Sequence, residues 1–182
     1  EVVAVEVNAS CPNLEDRRAL FAHSTTATAE VVEAAAAAGR TLWAKLSPNT
    51  PELSDIAAAA VGAGAEAVTV ANTVLGMVID TEARRPLLGA GRGGLSGPAI
   101  RPVAVRAVFD IHEALPDVPI IGVGGIMNAT DAWEKFAAGA SLIQLYTGLI
   151  YRGPRLLGDI LTDLDQRISI AQAGSLTELL GR

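Results

Sequence analysis

The sequence predicts an α/β fold in which a parallel sheet is connected by helical crossovers. Three observations carry this. Short apolar runs alternate with helix-patterned segments along the chain. The runs are near-continuously apolar, as expected of strands buried on both faces. Polar and glycine-rich turns gather at the carboxyl ends of those runs, the side on which parallel sheets bind ligands.

The elements follow in order. Val2–Val7 is a β-branched run that reads as a strand, ending in the polar turn Asn8-Ala9-Ser10-Cys11-Pro12-Asn13. A charged loop leads to a helix from about Thr28 to Ala38, stopped by Gly39. Thr41–Leu46 is the second strand, closed by Ser47-Pro48-Asn49. Thr50 then reads as an N-cap with Pro51 at the first helical position, for a helix running to about Val61. Ala67–Ala71 is the third strand and ends at Asn72-Thr73. A long connection, Val74 to Gly97, carries five glycines between Gly89 and Gly97. Connections of that length in a compact domain are usually functional. Pro98 opens a helix to about Leu115, and Val118–Val123 is a fourth strand running into Gly124-Gly125. Caps between Asn128 and Asp131 start a helix to Ala138, and Leu142–Leu145 is the fifth strand, ending Tyr146-Thr147-Gly148. An amphipathic helix, Arg155 to Ile168, and a short one, Leu176–Leu180, close the chain.

Composition narrows the function classes. Half of the 182 residues are hydrophobic and 19% are charged, with a mean hydropathy of +0.35. This excludes a disordered chain and is enough for one domain with a sizeable core. A net charge of −6 argues against a nucleic-acid or anionic-membrane binder. One cysteine excludes an internal disulfide and a multi-cysteine zinc site, and no metal site is expected. The most apolar stretch, Ile56 to Ile79, is broken by Glu66 and several glycines and does not read as a membrane span.

The candidate chemistry lies in the strand-end turns. Asn8 and Asn13 bracket the lone thiol of Cys11. Amides can read a ligand offering both C=O and N–H groups, and a thiol can accept a proton near neutral pH if its thiolate is modestly favoured. A buried structural cysteine is the bland alternative, which the Asn-x-x-Cys-Pro-Asn context counts against. Lys45 interrupts an apolar strand. It reads either as a snorkelling side chain or as the partner of an anion or flavin. Gly122-Val123-Gly124-Gly125 and Thr147-Gly148 end the last two strands, where barrels often bind phosphate through backbone N–H groups. His112 reads as ordinary helix surface, and His23 as a weak candidate.

Five segments in order resemble the dihydroorotate dehydrogenase family: Asn8-Ala9-Ser10-Cys11-Pro12-Asn13, Lys45-Leu46-Ser47-Pro48-Asn49, Asn72-Thr73, Gly93-Gly94-Leu95-Ser96-Gly97-Pro98-Ala99-Ile100 and Gly122-Val123-Gly124-Gly125-Ile126. The resemblance runs from Val3 to about Ile160. It implies a (β/α)8 barrel holding FMN at its carboxyl-end face, and flavin-dependent oxidation of dihydroorotate to orotate in pyrimidine biosynthesis. Cys11 would be the catalytic base that removes the C5 proton while hydride leaves C6. Asn8, Asn13, Asn72 and Thr73 would bind substrate. Asn8, Lys45, Ala71, Gly97, Gly124, Gly125, Tyr146 and Thr147 would contact FMN, the last four around its phosphate.

The Cys base and the Gly-Leu-Ser-Gly-Pro-Ala-Ile segment resemble the soluble, NAD-linked branch, which works with a subunit carrying FAD and an iron–sulfur cluster. The run Leu142 to Pro154 looks more like the quinone-dependent class. The family also implies a homodimer and a cytoplasmic location. Alternatives are a dihydropyrimidine dehydrogenase-type flavoenzyme, a different barrel enzyme sharing only the phosphate site, and a catalytically silent flavin-binding or subunit-contact protein. Residues 1–182 read as a single domain with five of the barrel's eight strand–helix units, the amino-terminal strands being absent. On that reading the 182-residue piece alone should be poorly soluble, should not retain FMN and should be inactive.

Overall fold

The computed structural model describes residues 2–10 and 21–181. Five strands form one parallel sheet: β1 (Ala4–Asn8), β2 (Thr41–Lys45), β3 (Ala67–Val70), β8 (Ile120–Val123) and β9 (Leu142–Gln144). Their spatial order, β1-β2-β3-β8-β9, is their order along the chain. A doubly wound sheet reverses its order at a switch point. An unreversed series with a helix after each strand is an arc of a (β/α)8 barrel. The crossovers are α1 (Thr25–Ala36), α2 (Leu53–Gly62), α3 (Arg101–Ala114) and α4 (Ala129–Ala137); α5 (Thr147–Arg152), α6 (Arg155–Ala171) and α7 (Leu176–Leu179) follow β9.

The main core fills the space between the sheet and its helices. Val68, Val70 and Ile120 meet Ile56, Ala57, Val108 and Ile111, all essentially inaccessible. A second cluster packs Ile126 and Phe136 against Leu156, Ile160 and Leu164 of α6. The opposite face of the sheet carries Glu6, Lys45, Thr69 and Gln144. Only β3 and β8 are buried along their whole length, whereas β1, β2 and β9 are partly accessible. The expectation of five strands buried on both faces therefore holds for β3 and β8; β2, also flanked by two strands, buries alternate residues only.

Several boundaries move for local reasons. Val2 and Val3 precede the first strand and are exposed. Helix α1 begins earlier than Thr28, because the Ser24 hydroxyl accepts from the Ala27 N–H and caps it. Thr50 does not cap α2: its hydroxyl accepts from the Glu52 N–H in a turn, and the helix starts at Leu53. Pro98–Ile100 form a 3-10 turn before α3. Short α5, right after β9, was not expected. The long connection folds into two antiparallel pairs, β4 (Val74–Gly76) with β7 (Gly93–Leu95) and β5 (Ile79–Asp80) with β6 (Arg85–Pro86). His112 is half-buried rather than surface, since α3 packs where a Cβ on Gly139 would strike its ring.

Candidate active site

A cavity of about 290 Å³ opens at the carboxyl ends of the strands. Its wall includes Lys45, Ala71, Asn72, Thr73, Gly97, Gly124, Gly125, Tyr146 and Thr147, which come from four strand ends and the long connection. These are nine of the positions singled out in the sequence. Asn8 is not on the wall but joins it indirectly, its Oδ1 accepting from Asn72 Nδ2 at 3.2 Å. Cys11 and Asn13 lie outside the described residues. The chain approaches that segment beside Lys45: the Ala9 N–H and the Ser10 hydroxyl both donate to the Lys45 carbonyl, at 3.1 and 3.0 Å.

One end of the cavity is polar and charged. Lys45 Nζ donates to Gln144 Oε1 at 3.3 Å and lies 3.6 Å from Glu6 Oε1. Glu6 Oε2 accepts from Thr69 Oγ1 at 2.6 Å and from Gln144 Nε2 at 2.7 Å. Four strands thus contribute one side chain each to a closed network. The lysine is neither snorkelling nor unpaired; its ammonium is fixed at the cavity wall, where it can meet an electron-rich ring edge or a carbonyl.

The asparagines are held just as firmly. Asn72 Oδ1 accepts from the Thr73 N–H at 2.7 Å. Asn49 Nδ2 donates to the Thr73 carbonyl and Asn49 Oδ1 accepts from the Leu75 N–H, both at 2.9 Å. The polar rim is set before any ligand arrives, which lowers the cost of ordering it on binding.

The other end is backbone. Gly124 and Gly125 have φ of +105° and +78°, the left-handed region that favours glycine. A Cβ on Gly125 would overlap the Arg101 backbone, and one on Gly148 would overlap the Ile126 carbonyl oxygen. A glycine turn at a strand end lets an anion approach the backbone N–H groups closely. Thr147 Oγ1 donates to Ser96 Oγ at 3.0 Å, tying the long connection to this end. The two ends together fit a ligand with a flat polar ring and a phosphate.

Behind the turn lies a second charged cluster. Asp131 Oδ1 accepts from Arg101 Nη1 at 2.5 Å, and Glu134 Oε2 is 3.4 Å from Arg101 Nε. The Arg101 guanidinium is raised above its ordinary value by its hydrogen bond to Asp131. Lys135 is wholly inaccessible and donates to the Arg101 carbonyl at 3.3 Å. Burial lowers its ammonium from 10.5 to about 8, against the attraction of Glu134 and Asp131. Between about pH 8 and 10.5 the unfolded chain therefore binds more protons than the folded one, and stability should rise with pH through that window. We expect a gain of roughly 1–2 kcal/mol. Denaturant unfolding at pH 8 and pH 10 should show it, and Lys135→Met should remove that part of the slope.

Sequence reasoning missed Glu6, Gln144 and Ser96. A glutamate inside an apolar strand was a visible signal, but its partners stand 63 and 138 residues away.

A family model described as dihydroorotate dehydrogenase matches residues 1–168. The dihydroorotate dehydrogenase B (NAD(+)) catalytic subunit of Trichlorobacter lovleyi is 44% identical over 182 residues, all of this chain and 59% of that protein. The subunit of the same name from Desulforudis audaxviator is 44% identical over 181 residues, 99% of this chain and 58% of that protein. The chain thus spans about three-fifths of the length of these relatives. Among solved structures, a ligand-free DHODH from Eimeria tenella superposes with a TM-score of 0.78 at 25% identity, covering 98% of this chain and 55% of that one.

Proposed function

Since the chain belongs to the dihydroorotate dehydrogenase family, we propose that it carries the catalytic cysteine and much of the flavin site of an enzyme that oxidises dihydroorotate to orotate. The observation that carries the reading is the two-ended cavity, with an ammonium and amides at one end and a glycine turn at the other. FMN, when bound, supplies the hydride acceptor. Gly124, Gly125, Tyr146 and Thr147 would hold its phosphate end, with Gly97 and Ala71 along its length. Lys45 would sit at the isoalloxazine carbonyl edge, stabilising negative charge there.

Dihydroorotate loses a proton from C5 and a hydride from C6, so base and flavin must flank one flat substrate. Cys11 takes the proton. Asn8, Asn13, Asn72 and Thr73 read the pyrimidine's amide edges. Holding the substrate in this geometry can lower the barrier by several kcal/mol. The shared name of the relatives supports an NAD-linked acceptor reached through a partner subunit, which the resemblance describes as an FAD and iron–sulfur protein. The reading includes a single FMN-binding barrel domain, a homodimer and a cytoplasmic location. No helix among the described residues is long and apolar enough to cross a membrane.

The test is anaerobic. Dihydroorotate added to the flavin-loaded full-length protein should bleach its visible absorbance within seconds, and uracil or dihydrouracil should leave the spectrum and its redox state unchanged. Bleaching by dihydrouracil but not dihydroorotate would favour the dihydropyrimidine reading. No response to either would favour a silent flavin binder. Rapid turnover with quinone, and none with NAD through any partner, would move the chain to the quinone-dependent class.

A further inference from the structure

We propose that Asp131 is a positioning residue that holds the Gly124–Gly125 turn in the shape that accepts the flavin phosphate; this rests on the phosphate reading above. Asp131 is 3% exposed and is not part of the cavity wall. Its two carboxylate oxygens are divided between two elements. Oδ1 accepts from the Arg101 guanidinium at the start of α3, and Oδ2 accepts from the Met127 N–H at 3.0 Å, in the segment leaving the turn. Its own N–H donates to Asn128 Oδ1 at 2.9 Å, which fixes where the carboxylate stands.

The Arg101 backbone lies directly under the turn, where a Cβ on Gly125 would be. Lys135 holds the Arg101 carbonyl from the side of α4. Asp131 therefore clamps the floor of the turn to its exit. Slackening either tie lets the backbone of the turn shift away from the shape that fits a phosphate. The ring end of the cavity, built on Lys45, Glu6 and Gln144, has no part in this clamp.

The consequence is selective. In Asp131→Asn one acceptor oxygen becomes an NH₂ group, which must face either the guanidinium or the Met127 N–H, donor against donor. Lost hydrogen bonds to a charged group correspond to about a 10–100-fold change in an equilibrium constant. We expect FMN affinity to fall by about that factor while riboflavin, which lacks the phosphate, binds within about twofold of the unsubstituted protein.

The measurement is titration of the full-length apoprotein with FMN and with riboflavin, followed by quenching of flavin fluorescence. Loss of the FMN preference in Asp131→Asn supports the clamp. An unchanged preference overturns it and leaves the phosphate reading standing, and an equal weakening of both flavins overturns it as a general loss of structure. If the unsubstituted protein binds FMN no more tightly than riboflavin, the phosphate reading falls and the clamp with it. Should Asp131→Asn fail to fold, Arg101→Gln decides: the side chain is half-exposed, so its removal breaks the Oδ1 tie, with the half-exposed Glu134 contact, and leaves the Met127 tie in place. A smaller loss of FMN preference supports the clamp, and none overturns it.

Discussion

Replacing Cys11 with alanine should leave FMN bound to the full-length protein and slow reduction of that flavin by dihydroorotate at least about 100-fold, the usual contribution of a positioned base. The chain enters this segment from Ala9 and Ser10, both hydrogen-bonded to the carbonyl of Lys45, whose side chain lies on the cavity wall. Cys11→Ser should retain part of the activity, concentrated at high pH, because a hydroxyl is a far weaker acid than a thiol. Anaerobic stopped-flow over a range of pH separates the variants. Single-turnover reduction near the unsubstituted rate in Cys11→Ala would remove the cysteine from the chemistry.

Gly125→Ala should have a large structural effect for a single added methyl group. The new Cβ would overlap the α3 backbone at Arg101, at a φ of +78° that side chains disfavour. Helix α3 cannot retreat freely, because Asp131 and Lys135 of α4 hold the Arg101 side chain and carbonyl. Strain and displacement together should cost about 2–4 kcal/mol, and FMN should be lost at micromolar concentrations. Gly158→Ala provides the contrast. That glycine lies within α6 with open space at its Cβ position, so alanine should stabilise by about 0.5–1 kcal/mol. Thermal melts and flavin content of the two variants check both expectations. Equal melts, with FMN retained by Gly125→Ala, would show that the turn tolerates a side chain.

Much of this molecule was legible in its residues because the relevant signals are local. Alternation of apolar runs with helix-patterned segments located all five strands of the sheet, with no end displaced by more than two residues. Polar turns at strand ends identified most of the cavity wall, since in a parallel sheet every strand delivers its carboxyl end to the same face. Asn72, Thr73, Gly124 and Gly125 could be named for that reason alone, and the family resemblance supplied their roles.

What tertiary structure decided is pairing across distance. Glu6 reads as a stray charge in a strand until β9 brings Gln144 beside it and β2 brings Lys45. Asp131 reads as a helix-start residue until α3 places Arg101 against it. Lys135 is buried with nothing beside it in sequence to announce that, and its ammonium finds its partner in the Arg101 carbonyl, 34 residues earlier. A charged side chain is tolerated inside a protein only when a partner compensates for its lost hydration. That partner is chosen by the fold, so no spacing along the chain announces it.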